Sequence, residues 1–404
     1  MRIVQVAGAF VPERCGIAHY TARLVRELAE QGAESVVAST EISRVGLEAS
    51  IGYLPVKGSD WTLSTLVELL VAARRWRADW LHVQFAPGSF GHRRVVGMLP
   101  LVARLVPGAP RIAVTMHEYG EWRLRLPRNL ASIGERLAVR AERAGWFDRE
   151  SGTMLSMSDL PIVTNLDHVD TIRSQSAALA RRLTVIPVGP NVEPDVDPTS
   201  TRAAARERLG VSASAFVIVF FGFVHPVKGV ETLLRATQLV HAIRGSAKLW
   251  IVGGVESLAL RNGEASDYEM TLRRIIAELG LADAVDFTGF LPDTVAATRL
   301  RAADLAVLPF NRGTTLKSGS LITCLSFGLP TVVTSGGHLT GLIHGESIWL
   351  VPPRDPSALA EAIVRLASDR VLLRRIGAGG KVASATHSWP TIAQRHLKHY
   401  TATR

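Results

Sequence analysis

The sequence predicts an α/β protein with two doubly wound, Rossmann-like domains, each built on a parallel sheet. Short apolar, β-branched runs recur along the whole chain, and helical segments separate them. These runs lack the polar–apolar alternation of a sheet with one solvent-exposed face, so helices should cover both faces of the strands. At 404 residues the chain is also longer than one hydrophobic core usually supports, which favours two domains.

The predicted strands fall into two groups of similar size, one in each half of the chain. In the first half the runs are 3–6, 36–38, 81–85, 112–116, 162–164 and 185–188. In the second half they are 216–221, 249–252, 285–287, 305–308, 332–334 and 348–351. Strands that alternate with helices in this way are typical of parallel α/β sheets.

A boundary between the halves is predicted within 185–200, where Pro, Asp and Gly accumulate and the periodic pattern stops. We therefore predict one domain over 1–190 and a second over 191–387. The segment 201–209 should form a short helix that opens the second domain. The end of the chain, 388–404, should form an amphipathic helix with Pro390 in its first turn.

Composition excludes several classes of protein. The chain is 47% hydrophobic and 20% charged, which favours a folded globular protein over a disordered one. Cys15 and Cys324 are the two cysteines; they form no disulfide framework and lack zinc-site spacing. No basic segment precedes an apolar stretch at the start, so we expect no signal peptide and a cytoplasmic location.

The positive charge is concentrated in one stretch. Net charge is +10, and between residues 91 and 145 ten arginines accompany four acidic residues. Such a face could contact anionic headgroups at the inner membrane surface or an anionic substrate. A solvated surface is the alternative, since 40 of the 46 basic residues are arginine. No recognisable binding motif supports nucleic acid as a partner.

Four loops follow predicted strands at the sheet edge where open α/β sheets bind ligands. The first (8–17) places Gly16 at the start of a helix, without the G-x-G-x-x-G pattern of dinucleotide enzymes. The second (117–122) begins with His117, which can hydrogen-bond a hydroxyl or shuttle a proton. The third (222–229) runs from Gly222 to Lys228, a cation suited to phosphate.

The fourth loop is the most informative. It joins the run 305–308 to a predicted helix that begins near Ser318, and it is rich in Gly, Thr and Ser. Free N–H groups at the start of a helix suit a phosphate. An ordinary crossover with a serine-capped helix is the simpler alternative.

Taken in order, these segments resemble the family-four retaining glycosyltransferases of the GT-B fold. The motifs that carry the resemblance are CGIAHYTARLVREL, MHEYG, VIPVGPN, FFGFVHPVKGVETLLRA, VDFTGFLP, ADLAVLPF and SFGLPTVVT, and they span nearly the whole chain. The resemblance implies two Rossmann-like domains whose sheets face a central cleft. The N-terminal domain would bind the acceptor, the C-terminal domain would bind a nucleoside diphosphate sugar, and the last helix would return to the N-terminal domain.

The resemblance also implies roles for individual residues, without a metal ion or other cofactor. His117 and Lys228 would be catalytic, and Glu118 and Tyr119 would contact the acceptor. The donor would be bound by Gly16, Gly222, Lys228, Phe290, Leu291, Thr315, Lys317, Ser318, Gly319, Ser320 and Thr323.

Three departures from the family pattern affect these roles. The two glutamates expected eight positions apart are Thr315 and Thr323, the arginine expected after Gly222 is Phe223, and the acid expected in the linker motif is Asn191. A rebuilt donor site is the interpretation that we favour. A nucleotide-sugar epimerase or hydrolase, and a non-catalytic sugar-nucleotide-binding subunit, are the alternatives. The acceptor could be a small molecule, a glycan or a lipid-linked molecule.

Overall fold

A computed structural model describes residues 1–10, 15–40, 51–56, 60–124, 133–194, 201–255 and 263–403. Residues 11–14 of the first predicted loop and 195–200 of the predicted linker lie outside this range. The chain divides into two compact units. Unit 1 contains Met1–Val188 and Trp389–Arg404, and unit 2 contains Gly189–Ser388.

Unit 1 is a doubly wound α/β unit with a parallel sheet. Within the described residues the sheet has seven strands in the order β3-β2-β1-β4-β5-β6-β7. The strands are β1 (Arg2–Ala7), β2 (Glu34–Ala38), β3 (Gly52–Tyr53), β4 (Trp80–Phe85), β5 (Arg111–Met116), β6 (Leu160–Val163) and β7 (Thr184–Val185). The helices are α1 (Gly16–Glu30), α2 (Leu63–Arg75), α3 (Leu99–Leu105), α4 (Ile133–Arg143), α5 (Met154–Met157), α6 (Leu166–Gln175) and α7 (Ala177–Ala180).

Unit 2 repeats the architecture with a parallel sheet of its own. In the part of the chain that is described, this sheet has six strands in the order β10-β9-β8-β11-β12-β13. The strands are β8 (Phe216–Phe221), β9 (Ala247–Val252), β10 (Val285–Gly289), β11 (Leu305–Leu308), β12 (Thr331–Thr334) and β13 (Trp349–Val351). The helices are α8 (Arg202–Arg208), α9 (Val230–Ile243), α10 (Glu264–Glu278), α11 (Asp293–Ala302), α12 (Gly319–Ser326), α13 (Pro356–Ser368) and α14 (Arg370–Ser384).

The predicted α/β fold class is confirmed, because both sheets are parallel and every predicted apolar run overlaps a strand. The central strand of unit 2, β8, shows the physical reason: its six residues are all buried, as helices on both faces require. β3 was not predicted, because its two residues carry no periodic signal. The run predicted at 185–188 is a shorter strand that ends at Val185.

The last helix of the chain, α15 (Trp389–Ala402), belongs to unit 1 and packs against α1. The Tyr400 ring lies 5.1 Å from the ring of Trp80 on β4. Arg111 Nη1 donates to the Thr403 carbonyl over 2.7 Å, and Gln31 Nε2 donates to the Pro390 carbonyl over 2.8 Å. These contacts tie the end of the chain to the first sheet.

Capping residues begin several of the helices. Ser318 accepts from the Leu321 N–H at the start of α12, and Asp355 accepts from the Ala358 N–H at the start of α13, where Pro356 is the first helical residue. Each cap satisfies an N–H that the helix itself leaves unpaired. Among the described residues, no helix is both long and apolar enough to cross a bilayer.

Candidate functional site

The carboxyl edge of the unit 2 sheet brings the loop after β8 against the loop after β11. Asn311 N donates to the Val227 carbonyl over 2.9 Å, and Asn311 Nδ2 donates to the Pro226 carbonyl over 2.8 Å. Gly229 has φ of 70°, and a Cβ there would lie 2.1 Å from the Pro309 carbonyl oxygen. Glycine is therefore required where these loops meet.

Lys228 ends a single 3-10 turn (Pro226–Lys228) just before α9. Its Nζ lies 3.8 Å from the centroid of the Phe310 ring, a cation–π contact that fixes the ammonium. The lysine is partly buried, and among the described residues it has no carboxylate partner. Burial, and then the charge of Lys317, lower the pKa of Lys228 to about 8. No carboxylate among the described residues therefore balances the charge of the Lys228 ammonium.

The start of α12 lies next to this lysine loop. Gly222, with φ of 130°, is so close to Ser320 that a Cβ on the glycine would lie 2.3 Å from the Ser320 Oγ. Among the described residues, the N–H groups of Gly319 and Ser320 have no hydrogen-bond acceptor. Two free N–H groups at a helix start form an anion site, and the buried Ser320 hydroxyl adds a third donor.

Thr323, a predicted donor-binding residue, has another role in the structure. It is fully buried, its hydroxyl donates to the Gly319 carbonyl over 2.8 Å, and it accepts from the N–H groups of Asn191 and Val192 at 2.8 and 3.4 Å. A hydroxyl has one hydrogen to donate and two lone pairs, so no capacity is left for a ligand. Thr323 instead anchors the start of unit 2 to α12.

The other predicted donor residues occupy different positions on the same edge. Asn191 Oδ1 would be 2.1 Å from a Cβ at Gly319, so Asn191 lies over the start of α12. Thr315 is half-buried and accepts from the Ser318 N–H through its carbonyl, and Lys317 is exposed. Phe290 is 40% exposed and Leu291 is half-buried, and both follow β10, two strands from β8.

In unit 1, His117 follows β5 and is partly exposed. Its Nε2 lies 2.8 Å from Gln84 Oε1, and its ring packs edge-on against Tyr20 at 4.7 Å between centroids. Burial, and then the nearby His168 and His396, lower the pKa of His117 to about 3. The imidazole is therefore neutral near pH 7, which suits hydrogen bonding better than proton transfer.

Tyr119, a predicted acceptor-binding residue, has its side chain turned into unit 1. It is 8% exposed, and its hydroxyl lies 2.9 Å from Asp148 Oδ1 and 2.8 Å from Gln175 Oε1. Glu150 Oε1 accepts from the N–H groups of residues 120, 121 and 122 at 2.7, 3.2 and 3.2 Å. Tyr119 and Glu150 thus hold the loop after His117. The Tyr119 hydroxyl has its partners inside unit 1, and the predicted contact of Tyr119 with the acceptor stays a prediction. Glu118 is exposed.

Gly16 is the first residue of α1. A Cβ there would meet nothing within 4 Å among the described residues, so their packing does not explain the glycine. Its predicted approach to a donor stays a prediction. Among the described residues, no group of three or more His, Cys, Asp or Glu side chains could hold a metal ion.

Comparison with known proteins finds similarity that is concentrated in unit 2. Residues 215–369 match the family model described as glycosyl transferases group 1. That range contains Lys228, Phe310 and the whole of α12. The chain is also 32% identical over 223 residues to a D-inositol 3-phosphate glycosyltransferase of Thermobispora bispora, covering 54% of this chain and 50% of the relative. The chain thus spans about half the length of that curated relative.

Two solved structures share the whole fold. The sucrose-phosphate synthase of Thermosynechococcus elongatus has a TM-score of 0.75 at 20% identity, with 100% of this chain and 98% of that chain covered. HepE of Anabaena, solved with UDP and glucose, has a TM-score of 0.73 at 18% identity, with 100% of both chains covered. Both likenesses show the fold, and the protein has the predicted GT-B class of fold.

Two residues of the candidate sites were missed in the sequence. Phe310 follows Pro309 at the end of an apolar run, and nothing in the pattern separates it from a core residue. Gln84 did leave a signal: with His82, it places two polar residues inside the buried strand β4. Buried polar groups need partners, so polar residues in such a strand indicate a network rather than simple packing.

Proposed function

We propose that the protein is a glycosyltransferase that moves a sugar from a nucleoside diphosphate sugar to a hydroxyl acceptor with retention at the anomeric carbon. The single observation that carries this proposal is the cluster of unmatched donors at the carboxyl edge of unit 2. Lys228 lacks a carboxylate partner, and the N–H groups of Gly319 and Ser320 lack acceptors, among the described residues. One ammonium and two N–H donors on the same sheet edge suit a diphosphate.

The proposed transfer reaction develops negative charge on the diphosphate leaving group. The bond from the anomeric carbon to the diphosphate oxygen breaks, the acceptor oxygen forms the new bond, and the acceptor proton passes to the departing phosphate. Negative charge grows on the diphosphate as the sugar becomes oxocarbenium-like. Fixed N–H dipoles and the Lys228 ammonium would stabilise that charge more in the transition state than in the ground state. They would do so without a metal ion.

The function is tested by donor binding and product analysis together. UDP sugars come first, because the HepE structure contains UDP and glucose; GDP, ADP and TDP sugars complete the thermal-shift panel. We expect one donor to raise the melting temperature and its labelled sugar to reach an acceptor with the anomeric configuration unchanged, with or without a chelator. Donor binding without turnover would indicate a sugar-nucleotide-binding subunit, and sugar released without acceptor would indicate a hydrolase.

For the acceptor, we propose an anionic molecule bound by unit 1. Two observations support this class: the arginine excess at 91–145, and a curated relative named for D-inositol 3-phosphate. D-inositol 3-phosphate, inositol and lipid-linked acceptors should therefore be compared in the transfer assay. A preference for the phosphorylated over the neutral polyol is the expected result.

We also propose that helix α4 contacts an anionic membrane. Arg136, Arg140 and Arg143 are exposed along one stripe of the helix, beside Leu137 at 62% exposure, and Trp146 follows at 71% exposure. Arginine heads with neighbouring apolar side chains are typical of helices that lie on anionic bilayers.

Replacing the three arginines with glutamine should release the protein from anionic vesicles. Each contributes about 1 kcal/mol near such a surface, so binding should fall roughly a hundredfold. Co-sedimentation with phosphatidylglycerol vesicles measures this, and phosphatidylcholine vesicles are the lipid control. The matched protein control is Arg273→Gln with Arg274→Gln on α10, which are also exposed. Equal binding of both variants would remove α4 as the contact.

A further inference from the structure

A buried polar network lies beneath His117 in unit 1. β4 and its two neighbours in the sheet, β1 and β5, each contribute polar side chains to it, and α15 contributes a tyrosine. Its members besides His117 are all fully buried: Gln5, His82, Gln84, Thr115 and Tyr400. The mechanism above uses none of these five, and burying so many polar groups is costly unless they are paired.

The contacts form two lines that are joined to each other, because Gln84 also contacts His82 and the Tyr400 hydroxyl also contacts Gln5. In the first, the Tyr400 hydroxyl lies 2.6 Å from His82 Nδ1, and His82 Nε2 lies 2.8 Å from the Thr115 hydroxyl. In the second, Gln84 Nε2 donates to Gln5 Oε1 over 2.8 Å, and Gln84 Oε1 lies 2.8 Å from His117 Nε2. The Gln84 nitrogen also lies 3.4 and 3.5 Å from the two ring nitrogens of His82. The atom of the Gln84 amide that faces His117 is therefore its oxygen.

This orientation decides which nitrogen of His117 carries the proton. An amide oxygen only accepts, so the neighbouring Nε2 must be the protonated nitrogen of the neutral ring. Nδ1 then carries a lone pair, and among the described residues it has no hydrogen-bond partner. The Tyr20 ring packs against the imidazole and limits its rotation.

We propose that Gln84 is a positioning residue that holds His117 as the Nε2-protonated imidazole, with Nδ1 free to accept a hydrogen bond from a hydroxyl of the sugar or acceptor. The ligand hydroxyl depends on the proposed function, whereas the tautomer of His117 does not. The site thus selects a ligand that donates to His117, and it disfavours one that presents only an acceptor, such as a carboxylate or an ether oxygen.

The tautomer is measured directly by nitrogen NMR of the full chain labelled with ¹⁵N-histidine, with His117→Asn to assign the signals. In the unaltered protein, His117 should show one neutral form with Nε2 protonated at pH 7. Gln84→Met keeps the volume but removes the acceptor, so both tautomers should appear. Gln84→Glu restores an acceptor oxygen and should keep Nε2 protonated, which also provides a test if the methionine variant folds poorly.

Tyr400→Phe is the matched control, because the Tyr400 hydroxyl contacts His82 and Gln5 but neither Gln84 nor His117. It should lower stability and leave the His117 tautomer unchanged. Unaltered His117 signals in Gln84→Met, or signals changed equally by Tyr400→Phe, would overturn the positioning role.

Kinetics separates this inference from the proposed function. Because a misdirected group at the reacting centre costs about a hundredfold, Gln84→Met should lower kcat by up to that factor with donor KM within about twofold. Gln84→Glu should recover part of the loss. A shifted tautomer with unchanged transfer would uphold the positioning of His117 while removing His117 from the transfer step.

Discussion

Replacing Lys228 with alanine is expected to lower kcat for sugar transfer by roughly a hundredfold to a thousandfold, the usual cost of losing one donor to a developing charge. Lys228 is a charged group on the unit 2 edge that is held in place, through its contact with Phe310. The helix start next to it supplies only neutral N–H groups. Phe223 stands where the resemblance predicts an arginine, so that particular cation is missing next to Gly222.

Lys248→Ala is the matched control for this variant. Lys248 also belongs to unit 2, but it is exposed and lies near the start of β9, away from the carboxyl edge of the sheet. Its Nζ contacts the Asp283 carbonyl. Its loss should leave transfer unchanged. A normal kcat for Lys228→Ala in steady-state assays would remove the phosphate assignment.

Replacing Lys228 should raise the stability of the protein at neutral pH, although it lowers kcat. The pKa of Lys228 is lowered to about 8 by burial and by Lys317, so the folded protein holds this proton less tightly than the unfolded chain does. The free energy of unfolding should therefore rise with pH from about 8 towards the ordinary lysine pKa of about 10.4. Lys228→Met should remove that rise and be more stable than the parent protein at neutral pH.

Donor affinity should have the reverse pH dependence. Only the protonated ammonium attracts a diphosphate, so affinity should fall as the pH rises above about 8, the pKa of Lys228. Lys228→Arg keeps its charge throughout this range, and its affinity should stay flat. Calorimetric titration with the donor between pH 7 and 10 measures both curves. Parallel curves for the two proteins would show that another group controls binding.

The sheets could be predicted because burial on both faces imposes a strong pattern. A strand such as β8 must be apolar at every position, and that pattern is visible without knowledge of its neighbours. The structure divides the chain at Gly189, in a stretch that has no periodic pattern. β3 was missed because two residues carry too little pattern to distinguish a strand from a loop.

The site was less predictable, because sequence position does not tell where a polar atom points. Thr323 and Ser320 lie on the same helix turn, yet the Thr323 hydroxyl is saturated by backbone groups while the Ser320 hydroxyl lies against Gly222. The resemblance implies an acceptor contact for Tyr119, whereas Asp148 and Gln175 hold its hydroxyl inside the unit. Both arrangements depend on partners more than 25 residues away in sequence.

Thr323 also bears on the missing glutamates. The resemblance predicts a carboxylate for donor hydroxyls at this position, whereas the threonine binds the backbone at Asn191 and Val192. A carboxylate only accepts while it is ionised, so it could not donate to the Gly319 carbonyl as the hydroxyl does. If the protein binds a sugar donor as proposed, the Thr323 side chain is not available for the hydroxyls of that donor.

Removing the Asp304 carboxylate is expected to destabilise unit 2 by about 3–5 kcal/mol, the cost of breaking a buried ion pair by deleting one partner. The residue is 4% exposed. Its Oδ1 accepts from Arg202 at 2.7 Å and from Arg370 at 3.4 Å, and its Oδ2 accepts from Arg206 at 3.1 Å and from the Val217 N–H at 2.9 Å. Asp304→Ala would leave a buried N–H and three guanidinium groups without their shared anion.

Asp286→Ala is the matched control, because Asp286 also pairs with an arginine of unit 2 but its side chain is 47% exposed. Exposed pairs contribute about 0–1 kcal/mol, so the control should be nearly neutral. Hydrogen exchange followed by mass spectrometry resolves the two units. Amides of β8 and β11 should exchange at least a hundredfold faster in Asp304→Ala, while those of β1 and β4 keep their rates. Unchanged protection in β8 would refute the ion-pair argument.

Asp304→Ala is also informative about function, because Asp304 and the candidate donor site contact opposite ends of β8. Val217, which donates to Asp304, lies at the start of β8, whereas Gly222 and the Lys228 loop follow its end. Because the charge cluster and the candidate donor site lie at opposite ends of one rigid strand, Asp304→Ala should keep its kcat per folded molecule at a temperature where it remains folded. Lys228→Ala should do the reverse, losing kcat without losing protection. The two variants together separate stability from catalysis within one domain.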